Sequence, residues 1–495
     1  MTAPLYDALI RPHLGSERPF LHLADGTSRS YAACIAEANR LANLLDGAGV
    51  APGDRVLVQV SKSPEALSLC FACIAAGAVF LPLNPAYTGA EVAYFISDAE
   101  PKLVVCDPAD QAQIQPLAQS VGARLETLGA DGSGSLMASA TGLPESFEPM
   151  PRGPDDLAAM LYTSGTTGRS KGAMLTQENL RSNAAALVEA WAFGPEDVLY
   201  HALPIFHTHG LFVATNVMLL AGGQMLFEPK FSAERAVELL PRATTMMGVP
   251  TFYTRLLAEP RFDADLTRHM RLFVSGSAPL LAQTHREFEA RTGHRILERY
   301  GMTETGMNTS NPYGAERRAG SVGFPLPGIE ARIMGETGEL SPGETGMIEV
   351  RGPNVFRGYW RMPEKTAEEL RPDGFFITGD LGRIDGDGYL HIVGRGKDLI
   401  ISGGFNVYPK EVETAIDALP GVVESAVIGV PHPDFGEGVV AVVVGEISPE
   451  AVIAGVAADL AKFKQPKHVM VVPELPRNSM GKVQKKSLRE EYAGL

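Results

Sequence analysis

The chain has 495 residues, 45% of them hydrophobic, and its 58 Asp and Glu against 43 Lys and Arg leave a net charge of −15. That length exceeds one ordinary domain, and the acidic balance argues against general binding to nucleic acid or to anionic membranes. Four cysteines without disulfide or zinc spacing, no charged-then-apolar leader, and a longest apolar run (67–83) broken by glycine point to a cytoplasmic protein rather than a secreted or membrane-spanning one.

Residues 20–23 read as a strand, and Ala38, Leu41, Leu44 and Leu45 follow at helical spacing. Strands are expected at 55–60, 79–83 and 102–106, separated by helices at 64–76 and 91–98. Such alternation argues for layered α/β structure with parallel sheets. Residues 130–154, rich in Gly, Ser and Pro, read as a surface connector. A buried strand at 156–162 is expected to empty into a loop, followed by a helix at 179–192. Further strands are expected at 244–249 and 272–275, with helices at 251–257 and 280–292. A strand end at 296–297 is expected to run into a glycine turn. From 328 to 393, short strands separated by Gly, Asp and Pro turns suggest a β-rich subdomain. Residues 394–398 form a candidate hinge. Beyond it, a helix at 410–419, strands at 425–430 and 439–444 and another helix suffice for a small α+β unit. The predicted fold is therefore α/β: a large N-terminal domain over 1–396, including the β-rich part, and a mobile C-terminal lid over 397–495.

The most informative stretch is Leu161-Tyr162-Thr163-Ser164-Gly165-Thr166-Thr167-Gly168-Arg169-Ser170-Lys171-Gly172. Glycines free the backbone N–H groups, hydroxyls add donors, and Arg169 and Lys171 add charge, which is the chemistry of a phosphate cradle. The spacing is not that of a Walker A loop. Glu298-Arg299-Tyr300-Gly301-Met302-Thr303-Glu304 carries a carboxylate, Glu304, suited to Mg²⁺. Asp380, in Thr378-Gly379-Asp380, is placed to accept two ribose hydroxyls. Two histidines two apart, His207 and His209, make a poor metal site without a third ligand.

Together these strings resemble the adenylate-forming superfamily of acyl-CoA synthetases, luciferases and peptide-synthetase adenylation domains, in family order from residue 161 to 482. The resemblance implies ATP, Mg²⁺ and coenzyme A as ligands. It implies that Thr163, Ser164, Gly165, Thr166, Thr167 and Gly168 cradle the ATP phosphates with Lys171. Ser277, Ala278 and Pro279 would form the purine wall, with Glu298, Tyr300, Gly301, Met302 and Thr303 beside it. Asp380 would hold the ribose, and Arg395 the ribose or phosphates. Lys397 would be the hinge pivot, and Ser402, Gly403 and Gly404 would line the coenzyme A tunnel. Lys482, in Pro-x4-Gly-Lys, would be the mobile catalytic lysine, in a context where a lysine acetyltransferase silences such enzymes. His207 would gate the acyl pocket, while His209 reads as structural. The implied reaction joins a carboxylate to coenzyme A through an acyl-AMP.

Arg299 bears on the acid. A cation facing the acyl pocket is costly unless paired, and a second substrate carboxylate would pair it. Glu298 or another acid of the protein is the alternative partner. A short dicarboxylate, malonate or methylmalonate, fits the first reading, and the strings around His207, Arg299 and Gly404 are similar to those of the malonyl-CoA synthetase branch. A module loading a carrier protein in trans and a nucleotide sensor are the readings from other classes.

Overall fold

The apolar run Arg55–Gln59 is an interior strand of a seven-stranded sheet in the computed structural model, which describes residues 3–163, 170–402, 405–432, 436–457, 459–478 and 481–495. Val79–Pro82 and Leu103–Cys106 lie parallel on its two sides. Strands covered on both faces read as continuous hydrophobic runs, as these do. Ser63 starts the helix Pro64–Ala76: its hydroxyl accepts from Ala66 N at 3.1 Å, and Pro64 fills the first turn, where no N–H is needed. That helix and Tyr31–Gly47 share one apolar core with residues of both large sheets.

A nine-stranded sheet takes Gln224–Phe227, Val198–His201, Thr245–Gly248, Leu272–Ser275 and Leu297–Met302 as parallel neighbours. Glu330–Met334, Gly346–Arg351, Phe376–Ile384 and Leu390–Arg395 form a separate antiparallel sheet, as the Gly- and Asp-rich turns predict. After the short turn Gly396–Asp398, Val422–His432 pairs with Gly436–Gly445, and His468–Val472 runs parallel to the latter. The helices Pro409–Asp417 and Pro449–Val456 cover this last sheet with their own apolar cluster. Among the described residues, no helix is long and apolar enough to cross a membrane.

Three expectations need correction. The connector 130–154 contains the helix Ser135–Ala140, whose Leu136 and Ala140 are buried one turn apart. The phosphate-loop stretch does not lead from a strand straight towards a helix. Lys171–Thr176 is itself a strand, antiparallel to Leu157–Thr163, with Thr163 opposite Lys171, so the loop closes a hairpin. Glu298, Tyr300 and Gly301 lie on the strand Leu297–Met302 and not in a turn; the chain reverses only beyond Met302 and returns as Gly306–Ser310.

The amino ends of the parallel strands are fastened together. Asp197 accepts from Arg271 Nε and Nη2, both at 2.6 Å, from Thr244 Oγ1 at 2.8 Å and from Gly194 N at 2.9 Å. These residues directly precede three neighbouring strands. Burial by itself would raise the Asp197 carboxyl, but the guanidinium, N–H and hydroxyl together hold it below the usual carboxylate range. A depressed carboxylate contributes stability above its unfolded pKa of about 3.9, and that contribution fades as pH falls through the lower folded value. Asp197→Ala is therefore expected to cost about 3–5 kcal/mol. In calorimetry at fixed scan rate its melting temperature should fall well below wild type at pH 7, with the gap narrowing below about pH 4.

Candidate active site

The site residues converge at the carboxyl ends of the same strands, as the crevice rule for parallel sheets predicts. Residues 202–210 leave His201, residues 276–279 leave Ser275, and Leu297–Met302 brings Arg299 and Tyr300.

Tyr300 and Asp380 meet on one side. The Tyr300 hydroxyl donates to Asp380 Oδ2 at 2.6 Å, and Arg395 Nε pairs with Asp380 Oδ1 at 3.1 Å, directly across the strand pair. The Asp380 charge is the main reason that Arg395 holds its proton more tightly than a free arginine. Burial, then the same carboxylate, raises the Tyr300 phenol.

The phosphate-loop hairpin ends beside Glu304. Thr163 Oγ1 donates to Glu304 Oε1 at 3.3 Å. The Tyr359 hydroxyl lies 3.1 Å from Glu304 Oε1 and 2.6 Å from Glu369 Oε2. Lys171 Nζ pairs with Glu369 at 3.2 Å and sits 3.9 Å from the centre of the Tyr359 ring. Burial raises the Glu304 carboxyl above the ordinary range, against the pull of Tyr359, Lys171 and Arg395. Ser164, Gly165, Thr166, Thr167 and Gly168 lie outside the described residues, as do Gly403 and Gly404.

Arg299 occupies the third corner and is 4% exposed. Its guanidinium lies flat against Gly276, where a Cβ would come within 2.3 Å of Cζ. Nε and Nη2, which form one edge of the fork, are buried with no hydrogen-bond partner among the described residues. Burial pushes its pKa down to about 9. Glu298 is not its partner. Adjacent residues on a strand face opposite ways, and the Glu298 carboxylate instead accepts from Gly320 N at 3.0 Å. Burial raises that carboxyl to about 8.

Two histidines complete this corner. His209 Nδ1 is 3.2 Å from Ser277 Oγ, and Ser277 is held in the left-handed region at φ 70°. His209 is buried, and its Nε2 and that of His207 have no partner among the described residues. Burial first and the Arg299 cation second push the His209 pKa well down. Burial and then Lys482 lower His207 to about 4. Both rings are neutral at pH 7. His209, read as structural from the sequence, lies within electrostatic reach of Arg299.

Lys482 reaches the centre from the last sheet. Lys482 N donates to Asn478 Oδ1 at 2.9 Å, and Asn478 N to Lys482 O at 2.9 Å. The side chain keeps contact with solvent, yet burial and then Arg395 lower its pKa, with Asp380, Arg299 and Glu304 also within electrostatic reach. Lys397, on the turn Gly396–Asp398, is likewise lowered by burial and then by Arg395. Ser402 is buried in the last sheet opposite Phe405. Gly301, Met302 and Thr303 are half-buried where the strand turns; Ala278 is half-buried and Pro279 exposed after Ser277. Tyr359 and Glu369 are absent from the sequence reading, since nothing local in Gly358-Tyr359-Trp360 marks a partner fifty residues away.

Residues 12–360 match the AMP-binding enzyme family and residues 411–482 the AMP-binding enzyme C-terminal domain. A feruloyl-CoA synthase from an Amycolatopsis species is 38% identical, covering 99% of this chain and 98% of its own length. A malonate–CoA ligase from Arabidopsis thaliana is 34% identical, covering 94% of this chain and 85% of its own. The crystal structure of ATP-bound MatB from Rhodopseudomonas palustris is 60% identical, covers 100% of this chain and 99% of its own, and superposes with a TM-score of 0.98.

An unpaired buried cation is destabilising, so Arg299→Met is expected to stabilise the ligand-free protein by about 1–4 kcal/mol. Gly276→Ala, which drives a methyl into the guanidinium, is expected to cost about 1–3 kcal/mol. In Arg299→Met the alanine should be nearly neutral, and a double-mutant cycle on melting temperature measures that coupling. Additive effects would mean that the two residues do not touch.

Proposed function

Because the chain belongs to the AMP-binding enzyme family, we propose that it ligates a short dicarboxylic acid, malonate and also methylmalonate, to coenzyme A, using ATP and passing through an acyl-AMP, with release of AMP and pyrophosphate. The observation that carries the choice of acid is the free Nε–Nη2 edge of Arg299. Two parallel N–H groups match the two oxygens of one carboxylate, and no acidic side chain competes for them among the described residues. His207 and His209 add neutral donors without adding a second buried charge. The malonate–CoA ligase relative supports the same acid.

In this reading the distal carboxylate seats on Arg299 and points the proximal one towards the nucleotide. Tyr300 and Asp380 hold the nucleoside, with Arg395 between ribose and phosphates. Ser277, Ala278, Pro279, Glu298, Gly301, Met302 and Thr303 wall the purine, and Glu298, neutral at pH 7 with its pKa at about 8, does so without repelling phosphate. Thr163, Ser164, Gly165, Thr166, Thr167, Gly168 and Lys171 hold the phosphates. The Glu304 carboxylate and Thr163 hydroxyl offer the hard oxygen donors that suit Mg²⁺, which when bound neutralises phosphate charge. The proximal carboxylate oxygen attacks the α-phosphorus as the bond to pyrophosphate breaks, and Lys482 sits where negative charge gathers. The coenzyme A thiol then attacks the acyl carbon and AMP leaves. Lys397 is the pivot between a unit of residues 1–396 and a lid of 397–495, and Ser402, Gly403 and Gly404 line the thiol's approach. Acetylation of Lys482 by a lysine acetyltransferase would remove the cation. A cytoplasmic location belongs to the same proposal, supported by four buried, unpaired cysteines.

The test is coenzyme-A-dependent AMP formation with malonate, methylmalonate, succinate, acetate, benzoate and ferulate. Malonate is expected to lead, with methylmalonate within about tenfold. Arg299→Ala should lose roughly 10²–10³-fold in kcat/KM on malonate and little on acetate. A lead by ferulate, the acid of the 38% identical relative, or an unimpaired variant overturns the dicarboxylate reading.

The pH dependence is a separate check. Burial lowers the Arg299 pKa but leaves the guanidinium charged throughout the working range. The malonate-to-acetate ratio of kcat/KM should therefore be flat from about pH 6 to pH 8, and a ratio that moves in that window would place a titrating group other than arginine on the distal carboxylate. Taking the ratio cancels the titration of Lys482, which serves both acids.

A further inference from the structure

Outside the site, the most constrained polar group is Lys62. It follows the strand Arg55–Gln59 of the seven-stranded sheet, yet its amine reaches into the nine-stranded one. Nζ donates to His201 Nδ1 and to His201 O, each at 2.8 Å, and lies 4.2 Å from the centre of the Phe227 ring. The surrounding protein pushes the amine well below the ordinary lysine range. A lysine donor placed this way needs a stated purpose, since burial opposes its charge.

His201 carries the contact onward. It is 1% exposed, and its Nε2 is 2.9 Å from the Gly210 carbonyl. A carbonyl only accepts, so the ring proton is on Nε2. Nδ1 then has a lone pair, and Lys62 fills it. One tautomer satisfies both bonds. Gly210 sits in the widened turn His209–Thr215, and its carbonyl also accepts from Thr215 Oγ1 at 3.0 Å. A side chain at 210 would strike Pro204 O, at 2.0 Å from a Cβ, so the chain is folded tightly back just here. His207, Thr208 and His209, whose Nε2, Oγ1 and Nε2 atoms lack partners among the described residues, lie immediately before that carbonyl. Widened turns of this kind recur at functional sites.

We infer that Lys62 and His201 are positioning residues for the acid pocket: Lys62 fixes the His201 tautomer, His201 fixes the Gly210 carbonyl, and the turn thereby holds His207 and His209 towards Arg299. Neither residue touches substrate in this arrangement. The inference rests on the proposed function only for the identity of the acid.

The measurement is the KM for the acid and for ATP, and kcat, in Lys62→Met, His201→Phe and His201→Gln. Lys62→Met keeps the stem and removes the donors; His201→Gln keeps one donor and one acceptor. Lys62→Met and His201→Phe are expected to raise the KM for malonate roughly ten- to a hundredfold while the KM for ATP stays within about twofold, and His201→Gln should recover much of the loss. Parallel rises in both KM values, or unchanged constants, overturn the inference. If Lys62→Met does not fold, Thr215→Val, which removes the other bond to the Gly210 carbonyl, is read in the same way. If another acid proves to be the wild-type substrate, the dicarboxylate reading fails by itself, and the same split is scored with that acid.

Discussion

An arginine without a counter-ion is the constraint around which the rest of this site is arranged. A guanidinium removed from water and left unpaired is unfavourable by several kcal/mol, and no fold retains it for stability. Here the surroundings sharpen the demand. Gly276 gives up its side chain so that the plane can lie on backbone, and Glu298, the nearest acid in sequence, is turned to Gly320. The adjoining histidines are neutral and so bring donors but no compensating anion. What remains is a cationic edge with no partner among the described residues.

The two ends of the nine-stranded sheet divide the work. At the amino ends, Asp197, Thr244 and Arg271 tie three strands with a fully satisfied polar cluster. At the carboxyl ends more polar atoms lack partners among the described residues, namely Ser275 Oγ, His207 Nε2, His209 Nε2 and two nitrogens of Arg299, against Thr245 Oγ1 at the amino ends. Satisfied groups rigidify, and unsatisfied ones await a ligand. The Tyr359 hydroxyl and Glu369 are intermediate, holding Lys171 and Glu304 in order.

Much of this was legible in the sequence because it is local. Alternating apolar runs gave the strands and helices, and the helix Pro64–Ala76 was placed to the residue because its cap, its proline and its apolar stretch are adjacent. The expectations for Asp380, Glu304, Arg395 and Lys482 rest on short strings. What was missed depends on distance along the chain. The strand Lys171–Thr176 was hidden because its pairing with Leu157–Thr163 stabilises a glycine-rich start that local preference disfavours. Reading 298–301 as a turn concealed the alternation that sends Glu298 and Arg299 to opposite faces. Lys62 meets His201 across 139 residues and two sheets, and no spacing rule reports such a contact.

Gly276 and Arg299 also constrain the order in which this pocket can change over generations. While the guanidinium is present, a side chain at 276 meets it and is disfavoured. Once Arg299 has been exchanged for something shorter and apolar, the glycine is free to acquire a side chain, and the emptied space favours one. From then on the arginine has no seat to return to. Drift away from this pocket is therefore easy and self-sealing, whereas re-entry requires two changes of which the first alone brings no benefit. The pair works as a ratchet.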